Sequence, residues 1–200
     1  MKPLTGIIFF FLIFISQQTN AWSGHSHQAL DIPCIESNEC AVEFSYFVHL
    51  QPRMASNQWA IWIEKPDGQY VATVFATAYT ARGAYEHRPL SLPMWREVSG
   101  WSHENTEYVD AVSAATPIIS GRHSSIWDCR DHTGEPVGSG KYIFRMEGNI
   151  FWEHRVVWSG ELVMGDDTRV FSAQPEYIPE RAFRRGILLE DVRAEILVNP

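Results

Sequence analysis

Apolar and polar residues alternate along several short runs of this chain, and this alternation constrains its fold more than any other feature. In residues 41–50 the apolar and aromatic side chains fall on every second position: Val42, Phe44, Tyr46 and Val48. Residues 59–65 (WAIWIEK) repeat the pattern. Because successive side chains of a β-strand point to opposite faces of the sheet, a period of two predicts strands.

A turn signal follows the second run. Pro66, Asp67 and Gly68 stand between residues 59–65 and a third run, residues 70–76 (YVATVFA). Proline fixes its own φ for the first half of a turn, and glycine accepts the positive φ of the second half. The sequence therefore predicts a β-hairpin here.

Later strands are predicted in residues 123–127, 141–147 and 155–163, which are short and rich in β-branched and aromatic residues. No helical period is sustained along the chain. Strands at this spacing predict an all-β fold, a sandwich of two antiparallel sheets that forms a single domain over residues 41–200. Residues 187–198 fit either a closing strand or a short amphipathic helix.

One long stretch, residues 77–109, departs from this regularity. It contains Trp95, Trp101 and several Pro and Gly residues, with little periodic pattern. Loops of this length inside compact domains are usually functional or mobile. We expect one long irregular insertion, which either folds as a flap over one sheet or holds a short helix near residues 92–98.

The N-terminus has the pattern of an export signal. Lys2 precedes an apolar run at residues 6–15, and Thr19 and Ala21 provide small residues at positions −3 and −1 of a cleavage site after Ala21. The run is shorter than the roughly 20 residues that span a bilayer. We expect residues 1–21 to be a signal peptide, residues 22–40 to be a polar leader, and the protein to be periplasmic or secreted with no membrane span after cleavage. An uncleaved anchor is the alternative.

Charge excludes some partners. The chain has 24 acidic and 16 basic side chains, a net charge of −8 and a pI near 5.4. Nucleic acids and anionic membranes are bound by clustered Lys and Arg. The nearest approach to such a cluster is Arg181, Arg184 and Arg185, so the composition argues against both partners.

Cysteines and histidines suggest further sites. Export permits disulfides, and the short spacing of Cys34 and Cys40 predicts a bond between them, which would leave Cys129 as a small buried thiol. The histidines lack the spacing of a metal motif such as HExxH. His25 and His27 are the weak candidates for a metal site. No Gly-x-Ser-x-Gly nucleophile motif is present.

The run Asp110-Ala-Val-Ser113-Ala114-Ala115-Thr116 resembles the acceptor motif to which a periplasmic flavin transferase attaches FMN through a phosphoester. The family pattern is Asp, two variable residues, Ser or Thr, usually Gly, then Ala and Thr or Ser. Ala114 stands here at the usual Gly. The resemblance implies that Thr116 carries the flavin, that Asp110 and Ser113 serve the transferase or shape the loop, and that Ala114 and Ala115 give clearance. A turn of small residues between two strands is the alternative.

A second resemblance covers residues 42–163. The order of four segments is similar to the uncharacterised family called domain of unknown function 2271, whose members are exported: residues 62–68, 110–116, 127–136 and 140–147. Residues 127–142 also resemble the hairpin of the immunoglobulin-like domain of flagellar hook-cap proteins, so the expected sandwich is immunoglobulin-like. Both families usually have Gly where this chain has Cys129.

These features give three functional hypotheses. The first is an exported electron carrier that holds FMN on Thr116 and has a flavin transferase and envelope redox proteins as partners; Trp95, Trp101 and Trp127 could pack on its ring. It has no catalytic turnover of its own. The second is a cofactor-free binding or assembly sandwich of the cell envelope. The third is a periplasmic metal-handling protein that uses its histidines. Trp59, Trp62 and Trp158 are expected to be core or sheet residues.

Overall fold

The computed structural model describes residues 40–165 and 169–197, which form two packed β-sheets with helices inserted between strands. The strands are β1 (Ala41–Val48), β2 (Gln58–Glu64), β3 (Tyr70–Thr77), β4 (Ser113–Ala114), β5 (Gly121–Trp127), β6 (Gly140–Phe151), β7 (His154–Met164), β8 (Val170–Ser172), β9 (Gln174–Ile178) and β10 (Leu189–Leu197). The helices are α1 (Ala78–Ala81), α2 (Pro93–Ser99) and α3 (Thr106–Val112), with 3-10 turns at Ala84–Glu86 and Glu180–Arg185. The predicted all-β sandwich is confirmed. The predicted signal peptide, all of the predicted leader except Cys40, and the candidates His25, His27 and Cys34 lie outside the described residues.

The first sheet has the strand order β5-β1-β10-β8, and every pairing in it is antiparallel. β1 alternates between buried and half-buried side chains along its whole length, as the period of two predicts. β10 pairs with β1 from Ala41 opposite Leu197 to Val48 opposite Leu189. Of the two structures left open for residues 187–198, the closing strand is therefore the one that forms.

The second sheet has the strand order β4-β3-β2-β6-β7-β9. β2 and β3 form the predicted hairpin, in which the N–H of Gly68 donates to the carbonyl of Lys65 at 2.9 Å and Gly68 has a φ of 87°. A side chain at that φ would be strained, which accounts for glycine in the turn. The short edge strand β4 runs parallel to β3, and the other pairings are antiparallel.

Two apolar cores lie on opposite faces of the second sheet. The main core fills the space between the sheets and includes Phe44, Trp59 and Phe144. A smaller core lies on the outer face, where Trp62 packs with Trp95 and other residues of the insertion. Every residue of β2 is consequently buried, although the alternation in its sequence is typical of a strand with one solvated face.

The insertion has both of the features expected of residues 77–109. It forms a flap over the outer face of the second sheet, and it holds α2 at the predicted position. A helix of seven residues is not stable by itself in water, so its stability comes from packing. Trp95 supplies that packing because its side chain is completely buried against the sheet.

Two buried polar side chains of β6 fasten the flap to the sheet. Glu147 accepts a hydrogen bond from the backbone N–H of Trp95 at 2.9 Å, and Asn149 accepts one from the N–H of Leu92 at 2.9 Å. These N–H groups belong to the start of α2, where the helix itself supplies no acceptor. Burial raises the pKa of Glu147, although Arg155 lies 3.3 Å from its carboxylate.

The disulfide prediction was wrong, because Cys40 is bonded to Cys129 and not to Cys34. Strand register explains the pairing. β1 and β5 are antiparallel with Val42 opposite Trp127, so continuing both strands by two residues brings positions 40 and 129 face to face. Their Cα atoms are 5.7 Å apart. Cys129 has a φ of 57°, in the left-handed region that favours glycine, so this chain keeps a strained cysteine where it forms a covalent link.

Candidate functional site

The acceptor-like run starts in the last turn of α3 and continues into a loop. Residue Asn105 caps the helix, since its side chain accepts a hydrogen bond from the N–H of Tyr108 at 3.3 Å. The Tyr108 hydroxyl in turn accepts a hydrogen bond from the N–H of Thr73 on β3 at 3.2 Å. It also lies 3.1 Å from the hydroxyl of Tyr70, whose pKa is raised by burial. These contacts hold α3 against the second sheet.

The run then crosses the edge of that sheet. Ser113 and Ala114 form β4, which pairs with Ala76 and Thr77 at the end of β3. β4 has two residues and only β3 as its neighbour, and such short edge pairings open at low cost compared with the centre of a sheet. We therefore expect this segment to open more readily than the central strands of the sheet.

Thr116 lies at the end of this run and is half-buried, whereas Ala114 and Ala115 are exposed. The side-chain amide of Gln58 donates to Thr116 Oγ1 at 3.4 Å. Gln58 is itself buried, and its oxygen accepts a hydrogen bond from the Thr77 hydroxyl at 2.7 Å. The position of the Thr116 hydroxyl is thus coupled to a fixed side chain of β2.

The polar residues that precede Thr116 in the motif, Asp110 and Ser113, contribute little to the stability of the fold. Asp110 pairs with Arg82 at 2.8 Å, but about two thirds of both side chains is exposed to solvent, where ion pairs stabilise weakly. The Ser113 hydroxyl is buried and has no hydrogen-bond partner within the described residues. An unpaired buried hydroxyl costs stability. Neither residue type is explained by the stability of the loop.

A groove of about 660 Å³ adjoins the run. Ser113, Ala114 and Ala115 form one side of it, and the other side is formed by α1 and the turn that follows. The side chains that give the groove its chemistry are Tyr79, Arg82, Glu86, His87 and His103. An aromatic ring beside cationic and hydrogen-bonding groups suits a ligand with both a flat ring and an anionic part.

Gly83 allows His103 to reach the groove. It has a φ of 93°, and a Cβ at this position would lie 2.9 Å from the His103 ring, closer than real side chains approach. The Nδ1 atom of His103 lies 2.9 Å from the Tyr85 hydroxyl, and its Nε2 atom lies 3.6 Å from Glu86. Glycine is therefore required both by the backbone and by this close contact.

The three tryptophans considered for a flavin do not line this groove. Trp95 and Trp101 lie under the flap with ring centroids 4.5 Å apart, and the Trp101 indole donates to the carbonyl of Ala81 on α1. Trp127 lies at the other end of β5, near Cys129. The expectation that Trp59 and Trp62 are core residues is confirmed.

The described residues show no group of three or more His, Cys, Asp or Glu side chains that could hold a metal ion. The histidines of the groove, His87 and His103, stand beside Arg82, which opposes a cation. The candidates His25 and His27 lie outside the described part of the chain.

Several groove residues were not identified from the sequence. Gln58 and Arg82 contact the run only because the fold brings them back to it, over 58 residues in the pair Gln58 and Thr116 and over 28 in the pair Arg82 and Asp110. Their local sequences carry one signal at most, a polar Gln58 placed directly before the apolar run of β2.

Comparison with known proteins identifies the family. The sequence profile of a family described as predicted periplasmic proteins, DUF2271, matches residues 41–177, which include the acceptor-like run, the flap and the groove. Neither the curated proteins nor the solved structures give a significant match. No described helix is long and apolar enough to cross a membrane. The family description confirms the periplasmic localisation, and the chain belongs to the DUF2271 family of predicted periplasmic proteins.

Proposed function

We propose that this protein is a periplasmic redox carrier that holds FMN covalently through a phosphoester on Thr116. The observation that carries the proposal is the position of the acceptor-like run. Thr116 follows two exposed alanines and a two-residue edge strand, and the run borders a groove with cationic side chains. FMN would supply the redox chemistry, and the protein would hold and orient it.

The attachment step is a phosphoryl transfer from FAD, carried out by a flavin transferase of the envelope. The Thr116 oxygen attacks the phosphorus that stays with FMN, the P–O–P bond of FAD breaks and AMP leaves. The threonine proton passes to a base of the transferase or to water. No electron is gained or lost, so the step needs no oxidant.

The structure fits the requirements of this step at the acceptor. The transferase must approach the backbone closely, and Ala114 and Ala115 present only methyl groups there. Pro117 disfavours a helical conformation at Thr116 and favours an extended one. The Gln58 amide donates to the Thr116 oxygen, which leaves the hydroxyl proton free to be removed.

The groove has side chains that could contact the FMN after its attachment to Thr116. Arg82, His87 and His103 can donate hydrogen bonds to phosphate or ring oxygens, and Tyr79, about half exposed, offers an aromatic face. The polar residues of the motif, Asp110 and Ser113, then have a use that loop stability does not give them.

Intact mass tests the proposal directly. The protein is exported from a host with an active flavin transferase, beside Thr116→Val, Thr116→Ser and Ser120→Ala variants. We expect a gain of one FMN less water in the wild type, its retention in Thr116→Ser, which keeps a hydroxyl, and its loss in Thr116→Val, which keeps the shape. Ser120→Ala removes a hydroxyl from the same loop and should leave the modification intact.

An unmodified wild type, in cells that modify a known acceptor, would contradict the proposal. Such a protein would match the second hypothesis, a cofactor-free binding sandwich of the envelope, and Thr116→Val would then behave like the wild type in every assay.

A further inference from the structure

Large apolar side chains that are exposed concentrate at one end of the sandwich. We call it the apical end and define it by four segments, residues 49–57, 115–120, 151–154 and 179–188. Most of the exposed large hydrophobic side chains among the described residues belong to these segments: Met54, Ile118, Ile119, Trp152, Phe183 and Ile187. Met54 is 82% exposed and Ile118 is 93% exposed, so these are protruding side chains.

Hydrogen bonds join the four segments into one surface. The Gln51 amide donates to the carbonyl of Ile187 at 2.7 Å, and the N–H of Trp152 donates to the carbonyl of Ala55 at 3.0 Å. The N–H of Leu50 donates to the Ser120 hydroxyl at 2.9 Å. The backbones of the four segments are therefore tied together at this end of the sandwich, while the apolar side chains project from separate loops.

Arginines accompany the apolar side chains. The four segments contain four arginines, Arg53, Arg181, Arg184 and Arg185, and only two carboxylates, Glu153 and Glu180. All four arginines are exposed, and none of them forms an ion pair with a carboxylate of the described residues. The overall charge of −8, which argues against an anionic membrane, does not describe this end of the molecule.

We propose that the apical end binds peripherally to the surface of a bilayer that contains anionic phospholipids. The apolar groups stand on the tips of separate loops, with Trp152 in a tight turn, and so can enter the lipid singly. Tryptophan prefers the boundary between lipid and water, and arginine binds phosphate headgroups while its stem contacts apolar surface. A protein partner or a second copy would instead need a continuous packed face. This proposal does not depend on the flavin.

Vesicle binding tests the proposal. The exported protein is mixed with vesicles of phosphatidylcholine alone and with vesicles of equal parts phosphatidylcholine and phosphatidylglycerol, and the bound fraction is measured by flotation. We expect binding to the anionic vesicles only. The double variant Met54→Ser with Ile118→Ser should bind at least about tenfold more weakly, since it removes two inserted side chains. The double variant Arg184→Gln with Arg185→Gln should also bind the anionic vesicles more weakly than the wild type.

A matched control uses exposed apolar residues elsewhere. Ile126→Ser with Val170→Ser removes two exposed apolar side chains outside the apical end and should leave binding unchanged. Hydrogen–deuterium exchange with the anionic vesicles should protect all four segments, residues 49–57, 115–120, 151–154 and 179–188. This readout separates the apical end from any binding through the apolar run at residues 6–15.

Three results would overturn the proposal. One is no binding to anionic vesicles. Another is binding that both double variants retain, with protection elsewhere in the chain. The third is a dimer in solution that the Met54→Ser with Ile118→Ser variant dissociates, which would assign the apical end to a second copy of the chain.

Discussion

The two ends of the sandwich are built in different ways. At the end opposite the apical segments, the Cys40–Cys129 disulfide joins the start of β1 to the residues after β5. The hairpin that follows is held by internal hydrogen bonds, such as the one from the Trp127 indole to the carbonyl of Arg130 at 2.7 Å. At the apical end, exposed loops carry protruding apolar side chains, and the acceptor-like run ends there at Thr116. We call the end that contains the Cys40–Cys129 disulfide the closed end.

The difference shows which parts of the chain have many stabilising interactions and which have few. The closed end is stabilised by a covalent bond and by a turn with several internal hydrogen bonds. The acceptor-like run, which leads into the apical end, has a buried Ser113 hydroxyl with no hydrogen-bond partner among the described residues. Its Asp110 forms only an exposed ion pair with Arg82, which stabilises weakly. Residues that do not contribute to stability are the ones expected to serve binding or modification.

Removing the disulfide should produce the largest loss of stability. The bond closes a loop with a sequence separation of 89 residues, and replacing both Cys40 and Cys129 by Ser should lower the free energy of unfolding by about 3–4 kcal/mol. Urea unfolding of the oxidised wild type and the variant measures this. Cys34→Ser is the matched control and should change it by less than about 0.5 kcal/mol; a loss as large as that of the double variant would show that Cys34 is the true partner.

A second cysteine variant sharpens this result. Cys129 has a φ of 57°, which glycine adopts without strain. Cys40→Ser with Cys129→Gly should therefore be about 1 kcal/mol more stable than Cys40→Ser with Cys129→Ser. Equal stabilities in urea would contradict the backbone assigned to this turn.

Asp131 should give the next largest effect at the closed end. Its carboxylate accepts hydrogen bonds from the N–H and hydroxyl of Thr133 at 2.8 and 2.6 Å and from the N–H of Glu135 at 3.1 Å, and the hydroxyl above all lowers its pKa. Asp131→Ala should cost about 1 kcal/mol at pH 7, a value kept small because the site is partly exposed.

The pH dependence of this effect has a defined sign. A lowered pKa in the folded state means that the ionised carboxylate stabilises the fold above the ordinary Asp value of about 3.9, and that this stabilisation is lost as the pH falls through the folded pKa. The difference between wild type and Asp131→Ala in urea unfolding should therefore shrink below about pH 4. A difference that grows on acidification would contradict the assignment.

The period of two was sufficient to predict β1, the hairpin of β2 and β3, and the sandwich, because alternation is a local property that the sheet preserves. The disulfide was mispredicted because closeness in sequence was used where strand register decides. Helix α2 could be placed from the sequence, but the contacts that stabilise it could not, since Trp95 packs on the sheet and its first N–H groups bind Glu147 and Asn149 of a distant strand.

The candidate site also has one part that could be predicted from the sequence and another that could not. The run from Asp110 to Thr116 is contiguous, so its pattern can be read in the sequence. The groove and the apical surface are assembled from loops that are far apart along the chain, and no local pattern in those loops reports that they meet.

Ser113→Ala should separate stability from function in the acceptor-like run. Because the hydroxyl is buried and unpaired, its removal should leave the free energy of unfolding unchanged or raise it by up to about 1 kcal/mol. The same variant should carry less FMN than the wild type, by intact mass, if Ser113 serves the transferase. A loss of more than about 1 kcal/mol would show that the hydroxyl has a structural partner.

Arg82→Gln should have the smallest effect on stability. Its ion pair with Asp110 is exposed, so the change in free energy of unfolding should stay within about 0.5 kcal/mol. Asp110→Asn should be equally mild in urea but should reduce FMN attachment, because Asp110 belongs to the acceptor-like run. If Asp110→Asn carries as much FMN as the wild type, Asp110 has no role in the attachment.

Peptide mapping of the exported protein tests the central claim most directly. Trypsin should release residues 97–122 as one peptide, since no Lys or Arg lies between Arg96 and Arg122, and this peptide contains the whole acceptor-like run. We predict that, in a host with an active flavin transferase, fragmentation of this peptide places one FMN on Thr116. An unmodified peptide, or FMN on any other residue, in cells that modify a known acceptor, would contradict the account.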